Sequence, residues 1–128
     1  MPTPKPVIAV LDDEPELRKA LRRLLTSRGF CVEEYANGND LIAAIGSRPT
    51  DCILLDLHMP EVSGFDVLET FQSSHNHTPV IVITAHDEAG TAERVRSLGA
   101  QGYLKKPVDR DALLSAINAA LTPSTTKT

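Results

Sequence analysis

Cysteine is scarce here: Cys31 and Cys52 are the only two, too few for a disulfide framework. Both lie in strand-like runs, so two buried thiols are expected rather than a redox pair. An excess of basic residues is missing too. Thirteen Lys and Arg against seventeen Asp and Glu give a formal net charge of −4, and with it no electrostatic case for binding nucleic acid. No apolar run approaches membrane-spanning length, and the start from Met1 to Pro6 lacks the apolar core of a secretion signal. A cytoplasmic protein without membrane contact is therefore expected. No internal repeat is present, and no HExxH or Cys-His spacing makes a zinc site of the four histidines.

What remains is an ordinary domain of 128 residues, 41% hydrophobic and 23% charged, large enough to bury a core without staples. Residues 1–122 are expected to form it. The polar segment 123–128 reads as a tail or the start of a linker.

The most informative stretch is Cys52-Ile53-Leu54-Leu55-Asp56-Leu57-His58-Met59-Pro60. Four apolar residues, too short for a helix, run into a carboxylate, and Pro60 stops any continuation. Such a run reads as a strand buried on both faces, with Asp56 at its carboxyl end, where open α/β sheets bind ligands. Gly64 then frees the backbone before the next helix.

The same alternation runs through the chain. Residues 7–11 form a first strand ending in Asp12-Asp13-Glu14-Pro15, and Pro15 suits the first turn of a helix. Leu17, Ala20, Leu21, Leu24 and Leu25 lie on one face of that helix, Arg18, Lys19, Arg22 and Arg23 on the other, and Gly29 ends it. The basic face is either a solvated surface or a partner contact. Residues 31–35 form a second strand, which Glu33 and Glu34 consign to a sheet edge. Asn37-Gly38-Asn39 caps a short helix with Leu41, Ile42 and Ile45 inward. Phe65, Leu68 and Phe71 mark the third helix, and residues 80–83 a fourth, fully apolar strand ending at Thr84-Ala85. The next helix, roughly residues 88–98, has only Ala92, Val95 and Leu98 as an apolar stripe and should be the least firmly anchored. Residues 100–104 form the last strand, ending in Lys105-Lys106-Pro107. Asp109 caps a final helix with Leu113, Ala116, Ile117, Ala120 and Leu121 inward.

Five strands alternating with five helices imply a parallel sheet with right-handed crossovers. The apolar strands one, three and four belong in its middle, which admits the order 2-1-3-4-5. Asp12, Asp13, Asp56, Thr84 and Lys106 then emerge on one edge, within a few strand spacings of about 4.8 Å. Three carboxylates so close repel, and unless something neutralises them at least one pKa must rise. Mg²⁺ is the natural partner, since it takes oxygen ligands and shares them with phosphate. Lys106 adds a point charge and Thr84 a hydroxyl. A carboxylate nucleophile, a metal, a cation and a donor are what phosphoryl transfer needs.

Val-Leu-Asp-Asp-Glu at 10–14, Leu-Leu-Asp-Leu-His-Met-Pro-Glu-Val-Ser-Gly-Phe at 54–65, Val-Ile-Thr-Ala at 82–85 and Gly-Ala-Gln-Gly-Tyr-Leu-Lys-Lys-Pro at 99–107 together resemble the receiver domain of two-component response regulators, over about residues 6–121. The resemblance implies a flavodoxin-like (βα)5 three-layer sandwich whose Asp56 takes a phosphoryl group from the phosphohistidine of a histidine kinase or phosphotransfer protein. It implies Mg²⁺, with Mn²⁺ as a substitute, on Asp12, Asp13, Asp56 and the backbone carbonyl of His58. Thr84, Ala85 and Lys106 would bind the phosphoryl group, and Thr84 with Tyr103 would form a switch moving the surface of helix four, strand five and helix five. Of the two lysines, Lys106 matches, because it precedes Pro107; that bond is expected to be cis. The helix after strand one would help dock the kinase. Output would pass to a downstream protein or linked effector domain, or through a homodimer formed on phosphorylation. The role implied is signalling, not enzymatic, although the domain assists its own phosphorylation and dephosphorylation. His58 and His86, two residues beyond Asp56 and Thr84, depart from the commonest pattern and are candidates for tuning phosphoryl lifetime.

Two rivals compete with this reading. A small-molecule phosphotransferase or phosphatase using a phospho-Asp would need a general acid and a covering insertion, and no loop is long enough for a lid. A flavodoxin-like cofactor binder would need a phosphate-cradling loop where Asp-Asp-Glu stands.

Overall fold

Five short strands, three of them almost wholly aliphatic, pair into one sheet: β1 (Val7–Leu11), β2 (Cys31–Tyr35), β3 (Cys52–Asp56), β4 (Val80–Thr84) and β5 (Gly102–Lys105). The helices that follow them are α1 (Pro15–Ser27), α2 (Gly38–Ile45), α3 (Gly64–Ser73), α4 (Thr91–Ser97) and α5 (Arg110–Leu121). This computed structural model describes residues 5–45, 47–59 and 61–122. Pro60, expected to stop β3, and the expected tail at 123–128 lie outside the described residues.

All strand pairs are parallel, in the order β2-β1-β3-β4-β5 that the burial argument admitted. Alternating strand residues face opposite ways, which separates two apolar cores. Ile8, Val10, Leu54, Ile81 and Ile83 meet Leu21 and Leu25 of α1 and Leu113 and Ile117 of α5. Ala9, Leu11, Ile53, Leu55 and Val82 meet Leu41 of α2, Val67, Leu68 and Phe71 of α3, and Val95 of α4. The result is three layers. Burying each large aliphatic side chain contributes about 1.5–3 kcal/mol, so the two faces of β1, β3 and β4 dominate the stability.

Charge explains the edge strand. Glu33 and Glu34 of β2 are tolerated because basic side chains reach them: Arg22 lies 2.8 Å and Arg18 3.5 Å from Glu34, and Arg48 lies 3.6 Å from Glu33. Two members of the basic face on α1 are thus engaged within the chain.

Some expectations needed correction. Cys31 is exposed while Cys52 is buried, because Cys31 opens the edge strand, which only one neighbour covers. Ala20 is exposed as well, beside rather than on the stripe of α1 that meets the sheet. Helix α4 begins at Thr91, behind the Gly90 N-cap at φ 86°, which leaves 85–90 as loop. Strand β5 begins at Gly102 rather than at Ala100, which lies in the turn after α4, its amide donating to the Val95 carbonyl. With Val95 its only buried residue, α4 has the thin attachment expected of it.

Helix α3 is pinned to the end of β3. Ser63 caps it through a reciprocal hydrogen-bonded pair with Asp66, and the Gly64 amide donates to the Leu57 carbonyl at 2.9 Å. A Cβ on Gly64 would lie 2.7 Å from both the Asp56 carbonyl oxygen and Leu57 Cα, closer than real contacts allow. Gly64→Ala should therefore destabilise the fold by about 1–3 kcal/mol, the usual cost of overpacking, and displace Asp56. Urea unfolding at equal ionic strength measures this, and a midpoint equal to wild type would contradict the close approach.

Candidate functional site

The carboxyl edge of the sheet carries the chemistry. Asp12, one residue past β1, is fully buried. Its Oδ1 accepts from the Glu14 amide at 2.8 Å, and its carbonyl accepts from Arg18 Nη1 at 2.6 Å. Asp56 closes β3 with only 3% of its surface exposed, and its Oδ1 receives a long hydrogen bond, 3.4 Å, from the His58 amide. Asp13 is exposed. Carboxylate oxygens of Asp12, Asp13 and Asp56 all lie within 4.8 Å of one another.

Lys106 meets them from β5. Its Nζ lies 2.8 Å from Glu14 Oε1, 3.0 Å from Asp12 Oδ2 and 3.7 Å from Asp56 Oδ2. The Lys106–Pro107 bond is cis, as expected. Lys105 turns the other way, to Asp87 at 3.5 Å, as strand alternation requires.

One lysine does not balance this cluster. Desolvation first, and then the charge of Asp12, push the Asp56 carboxyl up to about 6 despite the opposing charge of Lys106. Burial works against the charge on Lys106, but the Glu14 carboxylate it hydrogen-bonds and the Asp12 carboxylate beside it outweigh that, and its pKa is raised. The expected rise within the acid group thus falls on Asp56. Asp12 Oδ2, though near Lys106, is buried without a well-formed hydrogen bond. An orphaned carboxylate oxygen beside two further carboxylates is a donor set of hard oxygens, and it suits a divalent cation such as Mg²⁺.

The cluster opens into a cavity of about 300 Å³ that Asp13, Asp56, His58, Ala85, His86 and Lys106 help to line. His58 and His86 stand edge to face across its rim, ring centroids 4.6 Å apart. Thr84 ends β4 fully buried. Its Oγ1 accepts from the His86 amide at 3.0 Å and donates weakly to the His86 carbonyl at 3.4 Å. Tyr103 is only partly buried, its hydroxyl donating to Asp87 Oδ1 at 2.8 Å.

The chain matches the family model described as response regulator receiver domain over residues 8–118. The chain belongs to that family. Among curated relatives, the receiver is similar to the DNA-binding transcriptional regulator NtrC of Salmonella typhimurium, 33% identical over 115 residues. That match covers 90% of this chain but only 24% of NtrC. It is also similar to the transcriptional regulatory protein KdpE of Mycobacterium tuberculosis, at 34% identity over 93% of this chain and 52% of KdpE. Among solved structures, a response regulator receiver protein from Pseudomonas putida superposes with a TM-score of 0.86 and 28% identity, covering 92% of this chain and 99% of that one.

The receiver's fold brings Asp12, Asp13, Asp56 and Lys106 into one cluster and sets Ala85, His58 and His86 around its mouth. It does not bring Tyr103 to Thr84's hydroxyl, because each is held by a different part of the loop after β4. Sequence reasoning missed Glu14, read only as a helix-start acid; its place directly after the Asp pair was the available signal. It missed Asp87 altogether.

A carboxyl whose pKa is raised on folding binds its proton more tightly in the folded state. Its stabilising contribution is complete below the ordinary Asp value and lost as pH rises through about 6. Metal-free receiver should accordingly gain on the order of 1 kcal/mol or less between pH 7.5 and 5, once screening by water at the cavity mouth is allowed for. Asp56→Asn should flatten that part of the profile. Denaturant midpoints across pH test this, and equal slopes for the two proteins would refute it.

Proposed function

We propose that this receiver accepts a phosphoryl group on Asp56 from the phosphohistidine of a histidine kinase or phosphotransfer protein, with Mg²⁺ as cofactor and Mn²⁺ as a substitute. The observation that carries the reading is the near-complete burial of Asp56 between Asp12 and Lys106, with its one open side on the cavity. Water is excluded from the carboxylate everywhere except where a donor would approach.

Asp12, Asp13 and Asp56 would hold Mg²⁺ together with the backbone carbonyl of His58. Bound there, the ion supplies positive charge that neutralises the acids and steadies phosphoryl oxygens. The protein's own groups do the rest. Deprotonated Asp56 attacks phosphorus while the donor imidazole leaves. Lys106, already 3.7 Å from Asp56 Oδ2, is the cation for the incoming oxygens. The Thr84 hydroxyl leaves the His86 backbone and donates to a phosphoryl oxygen, and small Ala85 leaves that approach clear. His58 and His86, on the rim, govern how water reaches phosphorus from the side opposite Asp56 and so set the lifetime.

The output is signalling. Phosphorylation would draw Tyr103 inward after Thr84 and reshape the surface of α4, β5 and α5, which a downstream protein, a linked effector domain or a second copy would read.

Incubation with Mg²⁺ and a small phosphodonor should add one phosphoryl group by intact mass. Asp56→Asn should abolish it; an undiminished label on another carboxylate would remove the central claim. Asp13→Ala should label slowly at low Mg²⁺ and recover in part at high Mg²⁺, and no recovery would argue for a different role of Asp13. The double variant His58→Ala/His86→Ala should change phosphoryl decay by roughly tenfold or more, about 1.4 kcal/mol of barrier. Decay equal to wild type would make both histidines bystanders.

A further inference from the structure

Between Thr84 and Tyr103 lies a residue with no place in that scheme. Asp87 Oδ1 accepts the Tyr103 hydroxyl at 2.8 Å, while its Oδ2 lies 3.5 Å from Lys105 Nζ. One carboxylate thus ties the loop after β4 to two residues of β5, Tyr103 and Lys105, two apart along the strand. The near end of the same loop is tied at Thr84, whose Oγ1 holds the His86 amide at 3.0 Å. Asp87 is therefore one residue away from the peptide that Thr84 grips.

We infer that Asp87 is a latch that holds Tyr103 outward in the resting domain and is released when Thr84 lets go of His86. The inference rests on the switch reading of Thr84 and Tyr103 and adds the part that connects them. While Thr84 holds His86, the loop presents Asp87 to Tyr103 and Lys105. Once the Thr84 hydroxyl turns to another acceptor, the loop loses its anchor and Asp87 its fixed position. The ring, already packed against the cluster that contains Val95 and Val82, is then free to turn inward.

The contact has the length of a hydrogen bond, 2.8 Å. Burial, and next the Asp87 carboxylate, push the Tyr103 hydroxyl up to about 12, so the phenol keeps the proton it donates. The latch is also weak enough to open. The Asp87 side chain is 43% exposed and Lys105 66%, so water competes for both. Helix α4, which follows the loop, is held by one buried residue and offers little resistance to its movement.

The test uses the full chain with fluorotyrosine at its two tyrosines, Tyr35 and Tyr103, assigned by Tyr103→Phe. In fluorine NMR without ligand, Asp87→Ala should move the Tyr103 resonance towards the position that wild type reaches with Mg²⁺ and beryllofluoride, an inert phosphoryl mimic. Beryllofluoride should bind Asp87→Ala roughly threefold to tenfold more tightly, the scale of one net hydrogen bond. Asp87→Asn, which keeps an oxygen acceptor but loses the charge facing Lys105, should fall between. In a Tyr103→Phe background Asp87→Ala should add nothing. An unmoved resonance with wild-type beryllofluoride affinity would overturn the latch, as would an equal gain without the Tyr103 hydroxyl. Wild-type protein that binds no beryllofluoride would instead overturn the phosphoacceptor reading and the coupling with it.

Discussion

Burying a carboxylate in a protein interior is costly unless charge and hydrogen bonds compensate, and this domain buries two side by side. Asp12 and Asp56 sit where β1 and β3 end, and the surrounding structure is arranged to make that tolerable. The Glu14 amide and the Lys106 ammonium approach Asp12, and Arg18 binds its carbonyl. Lys106 lies near both acids but cannot neutralise them together with Asp13 and Glu14. The balance left over is negative; burial first, and then the charge of Asp12, raise the proton affinity of Asp56, and Oδ2 of Asp12 is left unmatched. A site with this excess of negative charge is suited to a cation.

That arrangement depends on a rigid floor. Strands β1, β3 and β4 are packed on both faces by fully buried aliphatic side chains, so the ends of those strands cannot drift apart. Gly64 brings α3 to within contact of the Asp56 backbone, fixing the turn after β3. Interiors of this density move between discrete arrangements rather than deform continuously. Movement is therefore left to the periphery: the loop 85–90, short α4 and edge strand β5.

A division between a packed floor and a thinly held periphery would give the latch inferred for Asp87 room to act. A switch needs two states of similar free energy, and a few weak exposed interactions can set which one prevails. The hydrogen bond from Tyr103 and the ion pair with Lys105 are of that size. The buried acids are not: any change there alters charge in a desolvated place and acts on the whole domain.

Much of this was legible in the chain alone, and the reason is physical. Apolar runs in strands buried on both faces, Glu33 and Glu34 in an edge strand, and capping residues such as Asp109 act over a few neighbours, so composition and spacing reveal them. Parallel pairing then obliges the strand ends to share one edge, which is why Asp12, Asp13, Asp56 and Lys106 could be grouped without coordinates. Exposure was less legible: Cys31 opens an edge strand with one neighbour and Ala20 lies beside the buried stripe of α1, so both are exposed although apolar in type. Side-chain contacts made by the loops were not legible. Whether a polar side chain faces solvent or reaches across to another strand depends on distances set by packing. Only the tertiary structure decided that Glu14 shares Lys106, that His58 meets His86, and that Asp87 holds Tyr103. Sequence determined which groups stand at the edge of the sheet, because strand order follows from local burial. Tertiary structure decided which of them touch, because contacts between residues distant in sequence follow from where packed elements leave their loops.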